Sequence, residues 1–181
     1  MHPTHWSLRE HTHELENFFE CDIQYEGHLY KSAEHLYQAL KNEDPEYRKA
    51  IRSVDVKTAY KLGREVKLRS DWETVKVDCM MLANWLKFKQ NVKLRTELFK
   101  TQDRKLYFQG LGPFWNIKNA EILTVIRQHY YDKIGFHDEQ CYPKWLNSPE
   151  PKARSFSGSP AGCDNCGGYF GKIISSNINV G

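Results

Sequence analysis

Apolar and polar positions alternate through Asp22-Ile23-Gln24-Tyr25-Glu26-Gly27-His28-Leu29-Tyr30, centred on Glu26-Gly27, which predicts a short β-hairpin or extended loop. A helix over 32–42 follows, with Ser32 as its N-cap and Glu34 in the first turn, where unpaired amides and the helix dipole favour a carboxylate. Pro45 precedes a short helix over 47–52, and Asp55 caps a third helix for which Gly63 reads as the C-terminal stop. Ser70-Asp71-Trp72-Glu73 fits the Ser-x-x-Glu capping box, and Val75, Cys79, Leu82 and Leu86 then recur at the four-and-three spacing of one helical face. That helix is expected to be the buried centre of the domain. Two more are predicted over 91–100 and 119–131, the last with Ile122, Val125, Ile126 and His129 on one side. The fold class is therefore mainly α, in the α+β sense: a multihelical single domain with a small N-terminal β-hairpin.

The ends carry no such pattern. Residues 1–13 hold His2, His5, His11 and His13 and read as a solvated tail; residues 147–181 are rich in Pro, Gly and Ser and read as a disordered one. The domain proper spans 14–146. At 181 residues the chain is long enough for one well-formed core but not two. No apolar run approaches the ~20 residues of a membrane helix, so no membrane partner is expected. The N-terminus shows no apolar core of a signal peptide.

Charge narrows the partners. A net +3 from 26 Lys/Arg and 23 Asp/Glu is too balanced for a dedicated duplex-DNA binder, whereas a small phosphorylated ligand needs only a local cationic cluster. The five cysteines, Cys21, Cys79, Cys141, Cys163 and Cys166, are odd in number and unevenly spaced, which argues against a disulfide framework and for a reducing, cytoplasmic compartment. Cys163-Asp164-Asn165-Cys166, with Cys141 and His137 upstream, is weak support for a structural zinc, and no metal or cofactor is expected. The LYFQG string at 106–110 matches the core of a protease cleavage site, but with Arg104 at the upstream position where such sites carry Glu, and is read as native sequence.

Four places set polar residues beside aromatic ones, as a nucleotide-sized pocket requires. Glu34 and Gln38 lie four apart on one helical face with Tyr37 adjacent. Arg64 follows Gly63, where a guanidinium can fork to a phosphate. Trp72 sits at the capping box, and Trp85-Leu86-Lys87-Phe88-Lys89-Gln90-Asn91 closes the long helix. Each also has a plainer reading: a solvated acidic face, a surface arginine, a core tryptophan, and lysines partnering a helix C-terminus.

Together these segments resemble the NADAR, or YbiA-like, family. Its motifs follow in order as Glu16-Asn17-Phe18 to Gly27 and Tyr30, Ala33-Glu34-His35-Leu36-Tyr37-Gln38-Ala39, Ala59-Tyr60-Lys61-Leu62-Gly63-Arg64, Trp72-Glu73-Thr74-Val75-Lys76 to Met80, Lys87-Phe88-Lys89-Gln90-Asn91, and Phe114-Trp115. The resemblance covers residues 16–130. It implies a helical domain that binds a ribose-phosphate or ADP-ribose-like ligand and hydrolyses an N-glycosidic bond, in ribosylamino-pyrimidine phosphates of riboflavin synthesis or in ADP-ribosylated guanine of nucleic acid. On that resemblance Glu34 is the catalytic carboxylate, expected to be ionised and to stabilise positive charge at the anomeric carbon or deprotonate water. Lys87 would hold phosphate or attack as an amine. Asn17, Tyr37, Gln38, Arg64, Trp72 and Trp115 would bind substrate, Arg64 on the phosphate and the aromatics against the base. Glu34, Arg64, Trp72, Lys87 and Trp115 should then line one cleft.

Where the family carries D-x-x-W-G and a Gly-rich loop, this chain has Gly112-Pro113-Phe114-Trp115-Asn116-Ile117-Lys118-Asn119, so Gly112 takes the aspartate position and the loop is shortened. Glu16 also replaces the family's serine. The loss of one acid sets an active N-glycosidase against a catalytically lapsed ADP-ribose or nucleotide sensor. A non-catalytic nucleic-acid binder would rest on the basic string from Lys100 to Lys105.

Overall fold

A computed structural model describes residues 5–7, 13–109 and 112–134; Cys141, Cys163, Cys166 and the stretch over 147–181 read as a tail lie outside these residues. Its compact units are residues 1–128 and 129–181, and of the second only the end of the last helix is described. The described elements are β1 (His5–Ser7), a 3₁₀ turn (His13–Leu15), β2 (Ile23–Tyr25), β3 (His28–Tyr30), α1 (Ala33–Ala39), α2 (Pro45–Ser53), α3 (Val56–Glu65), α4 (Trp72–Gln90), α5 (Val92–Lys100), β4 (Lys105–Tyr107) and α6 (Pro113–Ile134).

The hairpin forms as its alternation predicts. Tyr25 pairs with His28 across a two-residue turn, and both turn residues have positive φ, 49° at Glu26 and 74° at Gly27. That is the primed turn whose twist suits a hairpin, and it asks for glycine at the second position. β1 pairs in parallel with β4, so residues 5–7, in the stretch read as a tail, form a strand.

Around the hairpin the helices start where capping side chains are available. Ser32 accepts from the His35 amide at 3.1 Å, Asp44 from Glu46 at 3.0 Å, and Asp55 from Lys57 and Thr58 at 2.9 and 3.1 Å. The expected capping box at Ser70 does not form. α4 begins after Asp71, whose carboxylate is taken by Arg69 at 2.5 and 2.9 Å, and Glu73 pairs with Lys76.

The centre of the fold is not the long helix α4 but the seven-residue α1. Every residue of α1 is buried, and the helix contacts α2, α3, α4 and β3. The periodicity of α4 pointed to Val75, Cys79, Leu82 and Leu86, yet of these only Cys79 is buried; the others are half-buried. The inward residues of α4 are Trp72, Cys79, Met80, Met81, Ala83, Asn84, Lys87 and Phe88. Two of them are polar, so a pattern search for apolar spacing registers the wrong face. α6 also begins six residues before the expected start. Pro113 fits its first turn, the Asn116 amide donates to the Gly112 carbonyl at 3.0 Å, and Trp115 is thereby carried on a helix.

Gly63 does not end α3. The helix continues to Glu65, and the glycine instead lies against α1: a Cβ added there would sit 1.8 Å from Gln38 Oε1 and 2.6 Å from Gln38 Cδ. Gln38 is only 1% exposed and has little room to yield. Gly63→Ala should therefore lower stability by about 1–2 kcal/mol, because overpacking outweighs the ~1 kcal/mol that alanine gains over glycine inside a helix. Chemical denaturation of the two proteins checks this; a variant more stable than the parent would contradict the close packing of α3 on α1.

Candidate active site

The acidic and amide side chains of α1, Glu34 and Gln38, share one face because they sit four residues apart, and the cationic Lys41 follows just past the helix end. Glu34 is 6% exposed and Gln38 1%. Gln38 Nε2 donates to Glu34 Oε1, and the Glu34 amide donates to the Asn17 carbonyl at 2.9 Å. Lys41, one helical step beyond, sends its Nζ to the Gly63 carbonyl at 2.8 Å. The Lys41 ammonium also lies 5.6 Å from the Tyr37 ring centre and 5.8 Å from that of Trp72.

Aromatic rings build the adjoining wall. Tyr37 meets Trp72 at 5.3 Å between ring centres, tilted by 48°, and meets Trp115 edge-on at 5.5 Å. Tyr37 belongs to α1, Trp72 opens α4 and Trp115 lies in the first turn of α6, so three helices converge here. Tyr37 and Trp72 are buried, while Trp115 is half-buried.

Burial works against the ionised form expected of Glu34. A helix N-terminus was expected to hold it ionised; instead desolvation pushes its pKa above the usual carboxylate range, opposed by the Gln38 hydrogen bond and by the charge of Lys41. Desolvation, followed by the nearby Glu34, also pushes the Tyr37 phenol upward, keeping it neutral. Lys41 is pushed down by burial, raised by Glu34 and lowered by Arg64.

Of the eight residues nominated by sequence, Glu34, Tyr37, Gln38, Trp72 and Trp115 thus come together. Arg64 is exposed, with its guanidinium 6.0 Å from the Tyr60 ring centre. Asn17 is close by, but its side chain is committed within the fold: it donates to Asn119 Oδ1 at 3.0 Å and Met80 Sδ at 3.3 Å, and accepts from Asn84 at 3.0 Å. These links join the N-terminal loop to α4 and α6, and a direct substrate role for the Asn17 side chain is not what its bonding shows.

Lys87 departs furthest from expectation. It is wholly buried, its Nζ donates to the Glu16 carbonyl at 2.7 Å, and it lies 5.6 and 5.3 Å from the ring centres of Phe19 and Phe88. An ammonium enclosed in this way is a clamp on the loop that carries Asn17, not a phosphate ligand on an open face. Desolvation pulls its pKa down to about 8.

His35, the next residue of the same motif, is structural as well. Its Nδ1 meets Ser32 Oγ at 2.8 Å and its Nε2 meets the Val54 carbonyl at 3.0 Å. A carbonyl only accepts, so the neutral Nε2–H tautomer satisfies both contacts, in keeping with the pKa lowered by burial. The residues that sequence reasoning passed over are Lys41, Asn84 and Asn119. Lys41 had a signal, since it follows Glu34 by seven and Gln38 by three on one helical face. Asn119 lies one turn after Trp115 and donates to its carbonyl at 2.9 Å; nothing in its spacing separated it from a solvent-facing asparagine.

Fold and site together define a mainly helical domain in which a short buried helix presents a carboxyl group beside an aromatic wall. The chain belongs to the NADAR family, whose domain model matches residues 4–121. Among curated proteins it is 37% identical over 146 residues to a riboflavin biosynthesis protein of Vibrio vulnificus (strain YJ016), covering 71% of this chain and 40% of that one. It is 36% identical over 96 residues to the N-glycosidase YbiA of Escherichia coli (strain K12), covering 51% of this chain and 60% of that one. The chain thus spans about half the length of the curated relatives it matches. The NMR structure of Escherichia coli YbiA superposes with a TM-score of 0.61 at 29% identity, over 74% of this chain and 88% of the other. No helix among the described residues is long and apolar enough to cross a membrane.

The state of Lys87 is open to measurement. Its pKa falls from an ordinary 10.5 to about 8 on folding, so between those values the unfolded chain binds more protons and stability rises with pH; below about 8 this group adds no slope. Lys87→Met removes the effect. The stability of the parent relative to Lys87→Met should increase by about 2–3 kcal/mol between pH 7 and pH 10. A pH-independent difference would mean that the ammonium is not desolvated.

Proposed function

We propose that this domain hydrolyses the N-glycosidic bond of a phosphorylated riboside, with Glu34 as the group that handles the proton. The observation that carries the reading is the buried Glu34 carboxyl, raised in pKa and held by Gln38 next to the Tyr37–Trp72–Trp115 wall. Nitrogen is a poor leaving group unless it is protonated. A carboxyl group with a raised pKa can donate that proton as the bond between the anomeric carbon and nitrogen breaks, the bonding pair leaving on nitrogen. The resulting carboxylate then faces an oxocarbenium-like centre and stabilises it in a low-dielectric surrounding. Water adds to the anomeric carbon and returns a proton to Glu34, which closes the cycle.

The roles of the other residues follow from their chemistry. Tyr37, Trp72 and Trp115 offer faces and edges on which a base can stack. Gln38, pinned between Glu34 and Gly63, fixes the carboxyl orientation. The names of the two curated relatives, a riboflavin biosynthesis protein and an N-glycosidase, support cleavage of an N-glycosidic bond; a ribosylamino-pyrimidine phosphate and ADP-ribosylated guanine are the two substrates that present that bond on a phosphorylated ribose. The enzyme reading needs no metal or cofactor.

A second reading, an ADP-ribose or nucleotide sensor without turnover, is favoured by one feature. Gly112, at the position of the family's second acid, has φ +85° and no side chain to offer. Incubation with ribosylamino-pyrimidine phosphate and, separately, with ADP-ribosylated guanine DNA separates the two. The enzyme reading expects base release from at least one substrate, falling by roughly 10²–10⁴-fold in Glu34→Gln. Release that survives Glu34→Gln would remove Glu34 from the mechanism. Tight ADP-ribose binding with no release from either substrate would establish the sensor.

A further inference from the structure

We propose that Gln38 is a positioning residue whose amide is locked in one sense by Gly63, so that its Nε2 occupies Glu34 Oε1 in either protonation state and the proton that Glu34 transfers is carried on Oε2. The catalytic consequence rests on the reading of Glu34 as the proton donor; the lock itself does not depend on turnover.

A primary amide has two ends of opposite character, an oxygen that accepts and a nitrogen that donates two hydrogens. Neither end of Gln38 is free to reach a ligand, although the family resemblance would have it bind substrate. Nε2 donates to Glu34 Oε1. Oε1 is buried without a hydrogen-bond partner, in the space left by the missing side chain of Gly63, where a Cβ would come within 1.8 Å of it. Turning the amide over would set two unpaired donors against Gly63 in place of one unpaired acceptor. Buried N–H groups without partners are the rarer case in proteins, and the NH₂ group is the bulkier end. The Gly63 carbonyl, moreover, already accepts from Lys41 Nζ at 2.8 Å. The observed sense is therefore kept whether Glu34 is charged or neutral.

The lock divides the two oxygens of Glu34. Oε1 accepts from Nε2–H, and a proton placed on it would face a donor, so the acid proton goes to Oε2. Oε2 has no hydrogen-bond partner among the described residues and is not sealed in as Gln38 Oε1 is. In the proposed reaction the Oε2–H bond breaks as an N–H bond forms on the leaving nitrogen, and the pair of the glycosidic bond goes to that nitrogen. The water that adds to the anomeric carbon returns a proton to Oε2. A donor held on Oε1 favours the charged carboxylate, so Gln38 also stabilises the form that remains after donation.

Carbon-detected titration of the Glu34 carboxyl in Gln38→Met, made in the full chain, reads the lock without a substrate. The charged and titratable groups around Glu34 and its neighbours are Tyr37 on α1, Lys41 just past its end, Arg64 on α3, and Glu73 and Cys79 on α4; that variant retains them all. A locked donor helps only the carboxylate, so its removal should raise the Glu34 midpoint by about one pH unit, a roughly tenfold change in ionisation constant. An amide that turns over bonds both forms equally, and a midpoint that is unchanged or lower overturns the proposal. Should Gln38→Met fail to fold, the parent decides through the NOE between the Gln38 side-chain amide protons and the Gly63 Hα protons. An NOE of constant strength through the titration supports the lock, and one that strengthens below the Glu34 midpoint shows the amide turning over and overturns it. In the base-release assay Gln38→Met should lower kcat about tenfold or more with KM within about twofold. A KM that rises with kcat unchanged would make Gln38 a substrate ligand and overturn the proposal. A parent that releases no base removes the glycosidase reading, while the titration still decides the lock.

Discussion

A helix of seven residues buried along its whole length places a severe demand on its polar side chains. α1 takes Glu34, His35 and Gln38 out of water, and an unsatisfied polar group in such a place costs on the order of 1–3 kcal/mol. The surrounding structure answers most of that demand, leaving Gln38 Oε1 without a hydrogen-bond partner against Gly63. Ser32 and the Val54 carbonyl satisfy His35, and the Asn17 carbonyl takes the Glu34 amide. Gly63 leaves room for Gln38, and Gln38 in turn binds Glu34. The remaining elements are arranged so that these partners arrive together: the N-terminal loop clamped by Lys87, α3 carrying Gly63, and α4 and α6 joined to Asn17 through Asn84 and Asn119.

The same constraint generates the chemistry. A carboxyl group in water would ionise at ordinary pH and be of little use as a proton donor. Burial disfavours the charged form, and the Gln38 hydrogen bond and Lys41 charge only partly offset it. The aromatic wall beside the buried Glu34 is also a surface on which a base can stack. Desolvation, shape and acid strength therefore come from one packing arrangement, and weakening any of its supports should affect all three.

Much of the fold was legible because it is written in local signals. The turn at Glu26-Gly27 needs positive φ and carries glycine, and Ser32 and Asp55 cap the helices assigned to them. What escaped was decided by tertiary packing. Gly63 resembles a helix stop until Gln38 is seen against it. Ser70 resembles a cap until Arg69 claims Asp71 and the helix starts one residue later. The buried face of α4 includes Asn84 and Lys87, which no hydrophobic spacing can register. In the site, motif resemblance brought Glu34, Tyr37, Gln38, Trp72 and Trp115 onto one list, but it could not distinguish residues facing a ligand from those holding the scaffold. Asn17 and Lys87 belong to the scaffold, and their bonding partners, contributed from distant parts of the chain, are what show it.

Folding makes Glu34 a weaker acid than a glutamate in water. Carbon-detected NMR of protein labelled at the glutamate side-chain carboxyls, with the Glu34 resonance assigned by its loss in Glu34→Gln, follows that one group through a pH titration. The midpoint expected is above the ordinary 4.5 of a glutamate. A midpoint at or below the ordinary value would contradict it, and would return Glu34 to the role of an ionised, solvated carboxylate at a helix N-terminus.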